Sequence, residues 1–190
     1  MGEPGEKSTL DYSNGNFDIE VADAPEIAFR SLLEFLGHLR KKYPENMYYS
    51  DESLYMFNPS ARIGGNKTEN KSLLAFKAQK DQVPAGLIFG TQDQPETFKI
   101  EWFGVDPEFQ NSGLAEKLMD IVKSRYNKVK LDSSAFGFNK AIPTAKVINR
   151  NKALARYYER FGFVPDTSDK WSKIYPEGYP FLPMVWEKKD

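Results

Sequence analysis

The sequence predicts an α/β (α+β) domain built on a mixed sheet with helices on its faces. Three observations lead there. Short alternating or β-branched apolar runs are interleaved with amphipathic stretches at helical spacing. Three strand-like runs succeed one another between residues 73 and 105, after which α, β and α alternate. The chain has 190 residues, 40% of them hydrophobic and 14% aromatic, enough to bury about 70% of the unfolded surface without any staple.

The elements follow in order. Residues 1–14 are rich in Gly, Ser, Glu and Asn and read as a mobile tail, leaving 15–190 as one domain. Phe17 to Val21 alternates apolar and acidic residues, a short strand. Asp23 and Glu26 form a capping pattern with Pro25 in the first turn. Phe29, Leu32, Leu33 and Leu36 then recur as a helix that ends at Tyr43, before Pro44. Residues 44–71 read as irregular, with a short helix near 51–57. Leu73–Ala78 and Ala85–Gly90 flank a turn at 81–84, a hairpin, and Thr97–Val105 is the next strand. Pro107 ends it, because proline has no N–H for a ladder. Leu114, Leu118, Ile121 and Val122 stripe a helix from Ser112 to Tyr126. Residues 127–144 are ambiguous, with a strand-like Val-Lys-Leu-Asp. Lys146–Asn149 reads as a strand and Lys152–Phe161 as a helix, with Gly162 at the left-handed C-terminal cap. Phe163–Val164 and Leu182–Trp186 close the sheet.

Composition restricts the chemistry. With no Cys, disulfides, thiolate-ligated metals and cysteine nucleophiles are excluded. The single histidine, His38, falls mid-helix beside an apolar stripe and reads as structural. A net charge of −1 argues against bulk binding of nucleic acid or membrane surfaces. The acidic N-terminus lacks a secretory leader, and no apolar run approaches a membrane span, so a cytoplasmic protein is expected. Carboxylates, tyrosines, lysines, hydroxyls and backbone amides remain.

Residues 105–115 read Val-Asp-Pro-Glu-Phe-Gln-Asn-Ser-Gly-Leu-Ala. A strand ends, the chain turns at proline, and a helix opens near Asn111, Ser112 and Gly113. The first N–H groups of a helix have no intrahelical acceptor and carry the positive end of its dipole, which suits a diphosphate. The plainer reading is a capped helix with a glycine near its start. A second segment, Asn151-Lys-Ala-x-Ala-x-x-Tyr158-x-x-x-Gly162-Phe163, ends the last helix.

Together, Gln110-x-x-Gly113-x-Ala115 and Asn151…Tyr158…Gly162-Phe163 resemble the GNAT superfamily of acyl-CoA-dependent N-acetyltransferases. The element order agrees from Phe17 to Trp186, while the matched motifs cover only 103–115 and 151–163. The resemblance implies a mostly antiparallel sheet of six to seven strands, helices on both faces, and a splay between the fourth and fifth strands, here Thr97–Val105 and Lys146–Asn149. It implies acetyl-CoA as co-substrate and no metal. Backbone groups of Phe103, Gly104 and Val105 would pair with the pantetheine arm. The amides of Asn111, Ser112, Gly113, Leu114 and Ala115, after Gln110, would take the pyrophosphate. Asn151 would contact pantetheine, and Tyr158 would protonate the leaving thiolate.

An acceptor amine must lose a proton before it attacks. Glu101 is the candidate base, since alternation puts it on one strand face with Phe103 and Val105. The same register places Lys99 as close, a solvent-side Glu101 paired with Lys99 is the competing reading, and a water chain would also serve. Without cysteine, direct transfer in a ternary complex follows. The acceptor is left open among small amines and protein or peptide amines, and so are another acyl-CoA, a silent CoA-binding domain and a homodimer. Tyr48, Tyr49, Tyr55, Trp171, Tyr175 and Tyr179 fall where the family builds its acceptor site. Between Lys123 and Arg160 lie ten basic and two acidic residues, a field suited to CoA phosphates or simply a solvated face. Two departures stand out. Asn111 and Ser112 replace the usual basic or glycine residues, and residues 131–144 form an extra hairpin or loop.

Overall fold

The structure is a computed structural model, described here over residues 17–45, 72–134, 144–174 and 181–189. The tail, the segment expected near 51–57 and five of the six acceptor-side aromatics (all but Trp171) lie outside the described residues.

Seven strands form one sheet. They are β1 (Asp18–Ala22), β2 (Ser72–Lys80), β3 (Val83–Gln94), β4 (Thr97–Val105), β5 (Lys128–Ser133), β6 (Val164–Pro165) and β7 (Leu182–Glu187). Their order is β1-β2-β3-β4-β5-β7-β6, and only β4 and β5 pair in parallel. β2 and β3 turn at Asp81 and Gln82, both with positive φ (52° and 65°). A two-residue turn of that sense matches the strand twist, so this hairpin is tighter and its strands longer than the sequence indicates.

The helices are α1 (Pro25–Lys42), α2 (Leu114–Arg125), α3 (Thr144–Glu159) and α4 (Lys170–Ile174). Along β2, side chains alternate between two cores. Leu73 and Ala75 join Leu32, Phe35, Leu36 and Leu39 of α1, together with Trp102. Leu74 and Phe76 join Leu114, Leu118, Met119 and Val122 of α2 and Ala155 and Tyr158 of α3. Helices thus cover both faces. None among the described residues is long and apolar enough to cross a membrane.

Three expectations need correction. Lys146–Asn149 is not a strand but the start of α3. Its Val147 and Ile148 favour strands locally, yet they continue the helical stripe of buried Asn151, Ala155 and Tyr158. The fifth strand is instead Lys128–Ser133, which also absorbs Leu131–Ser133 of the supposed extra hairpin; residues 135–143 lie outside the described residues. Asp23 does not cap α1. Ala24 occupies the cap with no side-chain bond, and Pro25, whose missing N–H costs nothing there, opens the helix. Gly162 does adopt the left-handed conformation expected of it (φ 79°).

Candidate active site

β4 and β5 pair from Thr97–Lys128 to Ile100–Leu131 and no further. β4 continues to Val105 along β3 alone, while β5 follows β7, so a cleft opens beyond Ile100. A β-bulge stands at its mouth. Phe89 faces Trp102 and Gly90 faces Ile100, which leaves Glu101 as the extra residue. Gly90 permits this, because a Cβ there would lie 2.1 Å from the carbonyl oxygen of Lys99. The bulge resets the alternation. Ile100 and Phe103 both belong to the α2 side, and Trp102 packs on Phe35 of α1 (ring centroids 5.3 Å). Glu101 therefore does not share a face with Phe103 and Val105, because period two holds only along an unbroken ladder. Its carboxylate lies 3.8 Å from Lys99 Nζ, which lies 2.9 Å from Asp132 of β5. The competing pairing with Lys99 is thus present. It sits at the mouth of the cleft.

The chain leaves β4 at the open end. Asp106 is followed by a 3-10 turn (Pro107–Phe109), then by exposed Gln110, Asn111, Ser112 and Gly113. Asn111 (φ 64°) and Gly113 (φ 80°) are left-handed, and a Cβ on Gly113 would meet nothing within 4 Å. Backbone conformation, with open space before it, selects glycine here. The helix starts two residues later than Ser112. Gly113 is its N-cap, and the first intrahelical bond is Lys117 N–H to Gly113 O at 3.0 Å. The amides of Leu114, Ala115 and Glu116 precede it. Ser112 is partly turned inward: its hydroxyl donates to Phe109 O (2.6 Å), and its N–H reaches the same oxygen at 3.4 Å. Leu114 itself is buried and anchors the helix on β3. The Ser112 hydroxyl oxygen also accepts from Leu114 N–H at 3.4 Å, a long contact that a ligand can displace. An open glycine and helix-end amides therefore fit a diphosphate.

α3 supplies the other wall. Asn151 is 1% exposed, and its carbonyl accepts from Ser133 Oγ (2.7 Å) at the end of β5. Tyr158 lies on the α2 side near Phe103 of β4 (6.4 Å between rings) and against Phe163. Arg160, just past α3, reaches Glu116 in the first turn of α2 at 3.6 Å. Both motif segments thus meet around the cleft.

Comparison with known proteins agrees. A family model described as "Acetyltransferase (GNAT) domain" matches residues 49–188. The chain belongs to the GNAT acetyltransferase family. An acetyltransferase of Streptococcus agalactiae 2603 superposes with a TM-score of 0.54 at 14% identity, over 92% of this chain and 100% of that one. A GNAT-family acetyltransferase of Staphylococcus aureus Mu50 gives 0.52 at 13% identity, over 90% and 99%. Both are likenesses of fold. No curated protein matches the chain.

This GNAT chain has a charge distribution simpler than its composition suggests. Lys128 pairs with Glu187, Lys130 with Asp166, and Arg160 with Glu116, all acids from outside the basic stretch. Lys123 turns inward instead. It bonds Phe161 O and lies over the rings of Phe161, Phe163 and Trp186, and burial lowers its pKa. Sequence reasoning missed Asp106 and Asp132. Asp106 had a local signal, an Asp two residues before an acceptor-seeking turn N–H, and it receives that bond from Glu108 N–H at 2.9 Å. Asp132 had none, because only the sheet register brings it to Lys99. Trp171 falls on α4.

Proposed function

We propose that this GNAT protein moves an acetyl group from acetyl-CoA to a primary amine by direct attack in a ternary complex. The observation that carries the reading is the parting of β4 from β5 beyond Ile100 and Leu131, with the exposed turn at 110–113 and the first amides of α2 at its open end. Acetyl-CoA supplies an acyl group activated as a thioester. The chain's own groups do the rest. The backbone of Phe103, Gly104 and Val105 holds the pantetheine arm, and Asn151 steadies it. The loop from Gln110 through Ala115 receives the pyrophosphate. Glu101, or a water it orders, takes the proton of the incoming amine. Lys99, 3.8 Å away, helps hold that carboxylate in place until the amine arrives. Tyr158 gives its phenolic proton to the departing sulfur. A cytoplasmic setting, where acyl-CoA is made and used, suits this chemistry.

Thermal shift with acetyl-CoA, followed by thiol release over a panel of amines, tests the reading. Stabilisation by acetyl-CoA and thiol release dependent on one amine class are expected. Absence of stabilisation at saturating acetyl-CoA would sink it. Stabilisation without release on any amine would favour a silent CoA-binding domain, and release only from a longer acyl-CoA would change the donor.

A further inference from the structure

The lone histidine and the most deeply buried carboxylate among the described residues meet at one point, and neither has a part in the chemistry above. Asp106 joins β4 to the pyrophosphate loop and has no exposed surface. Its Oδ2 accepts from His38 Nε2 (2.7 Å) and Lys42 Nζ (3.0 Å). Its Oδ1 accepts from the Tyr43 hydroxyl (2.7 Å) and Glu108 N–H (2.9 Å). His38 and Lys42 are four residues apart on one face of α1, and Tyr43 is its C-cap, so three donors come from one helix end. Two more links run from the same turn. Lys42 reaches the Glu108 carboxylate, and it lies over the Phe109 ring at 5.8 Å. The backbone is tied as well: Asp106 N–H donates to Ala85 O (2.9 Å), and Phe109 N–H donates to Asp106 O (2.8 Å).

α1 and α2 cover opposite faces of the sheet, and Asp106 is where the end of α1 meets the turn that leads toward α2. Stability alone does not require four donors on one carboxylate. A buried charge needs partners, but apolar side chains would fill the place at less risk. Such a cluster does fix the direction in which the chain leaves β4. The amides at the start of α2 must point at one place to share a diphosphate, and an error of an ångström spoils such an arrangement.

We infer that Asp106, clamped by His38, Lys42 and Tyr43, is a positioning residue for the pyrophosphate loop, so that the last turn of α1 sets the affinity for CoA. The inference rests on the acetyltransferase reading. Its test is calorimetric titration with CoA itself, which needs no acceptor, at a temperature where circular dichroism finds every variant folded. Asp106→Asn should weaken CoA binding by roughly tenfold and Tyr43→Phe by roughly threefold, the scale of one charged and one neutral hydrogen bond. His38→Gln, which keeps an N–H donor, should bind nearly as the wild type does, while His38→Ala should not. A structural role alone would lower melting temperatures and leave the CoA affinity of the folded variants unmoved. Should Asp106→Asn not fold, Tyr43→Phe and the His38 pair decide. Wild-type protein that binds CoA, with folded Tyr43→Phe and His38→Ala binding it equally well, overturns this inference alone. Wild-type protein that binds no CoA overturns the acetyltransferase reading, and this inference with it.

Discussion

Asp106 is charged where no water reaches it. Burial alone would push its pKa up, but the Glu108 N–H, the Tyr43 hydroxyl, His38 and Lys42 together outweigh that and hold it at about 2, against an ordinary 3.8. Lys42 shifts upward in turn, first through its bond to Glu108. The folded chain keeps Asp106 ionised at a pH where the unfolded chain takes up the proton, so its contribution is complete above the ordinary carboxylate range. It is lost as pH falls toward 2. The share is about 2 kcal/mol. Urea melts at about pH 6 and about pH 2.5 should therefore show the gap between wild type and Asp106→Asn shrinking with acid. A constant gap would mean that the carboxylate's charge is not what the fold uses. Tyr158→Phe keeps the ring against Phe103 and removes one proton, so turnover should fall by about a hundredfold with CoA affinity unchanged. Equal turnover would remove its role as acid. Asp106 and Tyr158 were unequally legible. Tyr158 stands at a fixed spacing from Asn151 on one helix and from Gly162 just past its end. Asp106 gains its meaning from α1, more than sixty residues away, and no local pattern carries such a contact.

Among the elements, the bulge in β4 decides most. It depends on Gly90, where a Cβ would strike the Lys99 carbonyl at 2.1 Å and Phe98 Cζ at 2.6 Å. Backbone cannot yield as a side-chain tip can. Gly90→Ala should cost about 1–3 kcal/mol in denaturant melts, and it should disturb Glu101 and hence turnover. Full stability with full activity would show that the strand accommodates the methyl group and that the bulge does not depend on glycine. The turn before α2 makes a second case. Gly113→Glu places a side chain on a left-handed backbone and a negative charge before the loop amides, so CoA binding should vanish in calorimetry. Unchanged binding would move the site elsewhere. Strands β2 to β4 and helix α2 were readable because period and turn residues agreed. The bulge was not, since Phe-Lys-Ile-Glu-Trp-Phe alternates well enough to hide one extra residue. The start of α3 was misread for the opposite reason: a β-branched pair spoke locally for a strand, and the core behind it spoke for a helix.

At the scale of the whole molecule, the sheet divides into two unequal parts that meet along Thr97–Ile100. On one side, β1 to β4 follow the chain in order, and the sequence described them well. On the other, the order is β5-β7-β6, and the last strand lies inside. Two closing strands could be expected from the sequence, but which of them borders the cleft strand could not, because either would satisfy the same alternation. That arrangement bears on how the protein is made. A chain emerging from its N-terminus can zip β2, β3 and β4 as nearest neighbours, with short loops to close. β5 cannot be finished that way. It touches β4 over only Lys128–Leu131 and takes its longer seam, Lys128–Ser133, from β7. Until residues 182–187 arrive, one wall of the cleft is a half-paired edge of the kind that recruits other chains. Among the described strands, the candidate cleft is therefore the last to be closed in, and a chaperone that shields this edge during synthesis should raise the yield of folded protein more than one acting on the β1–β4 half.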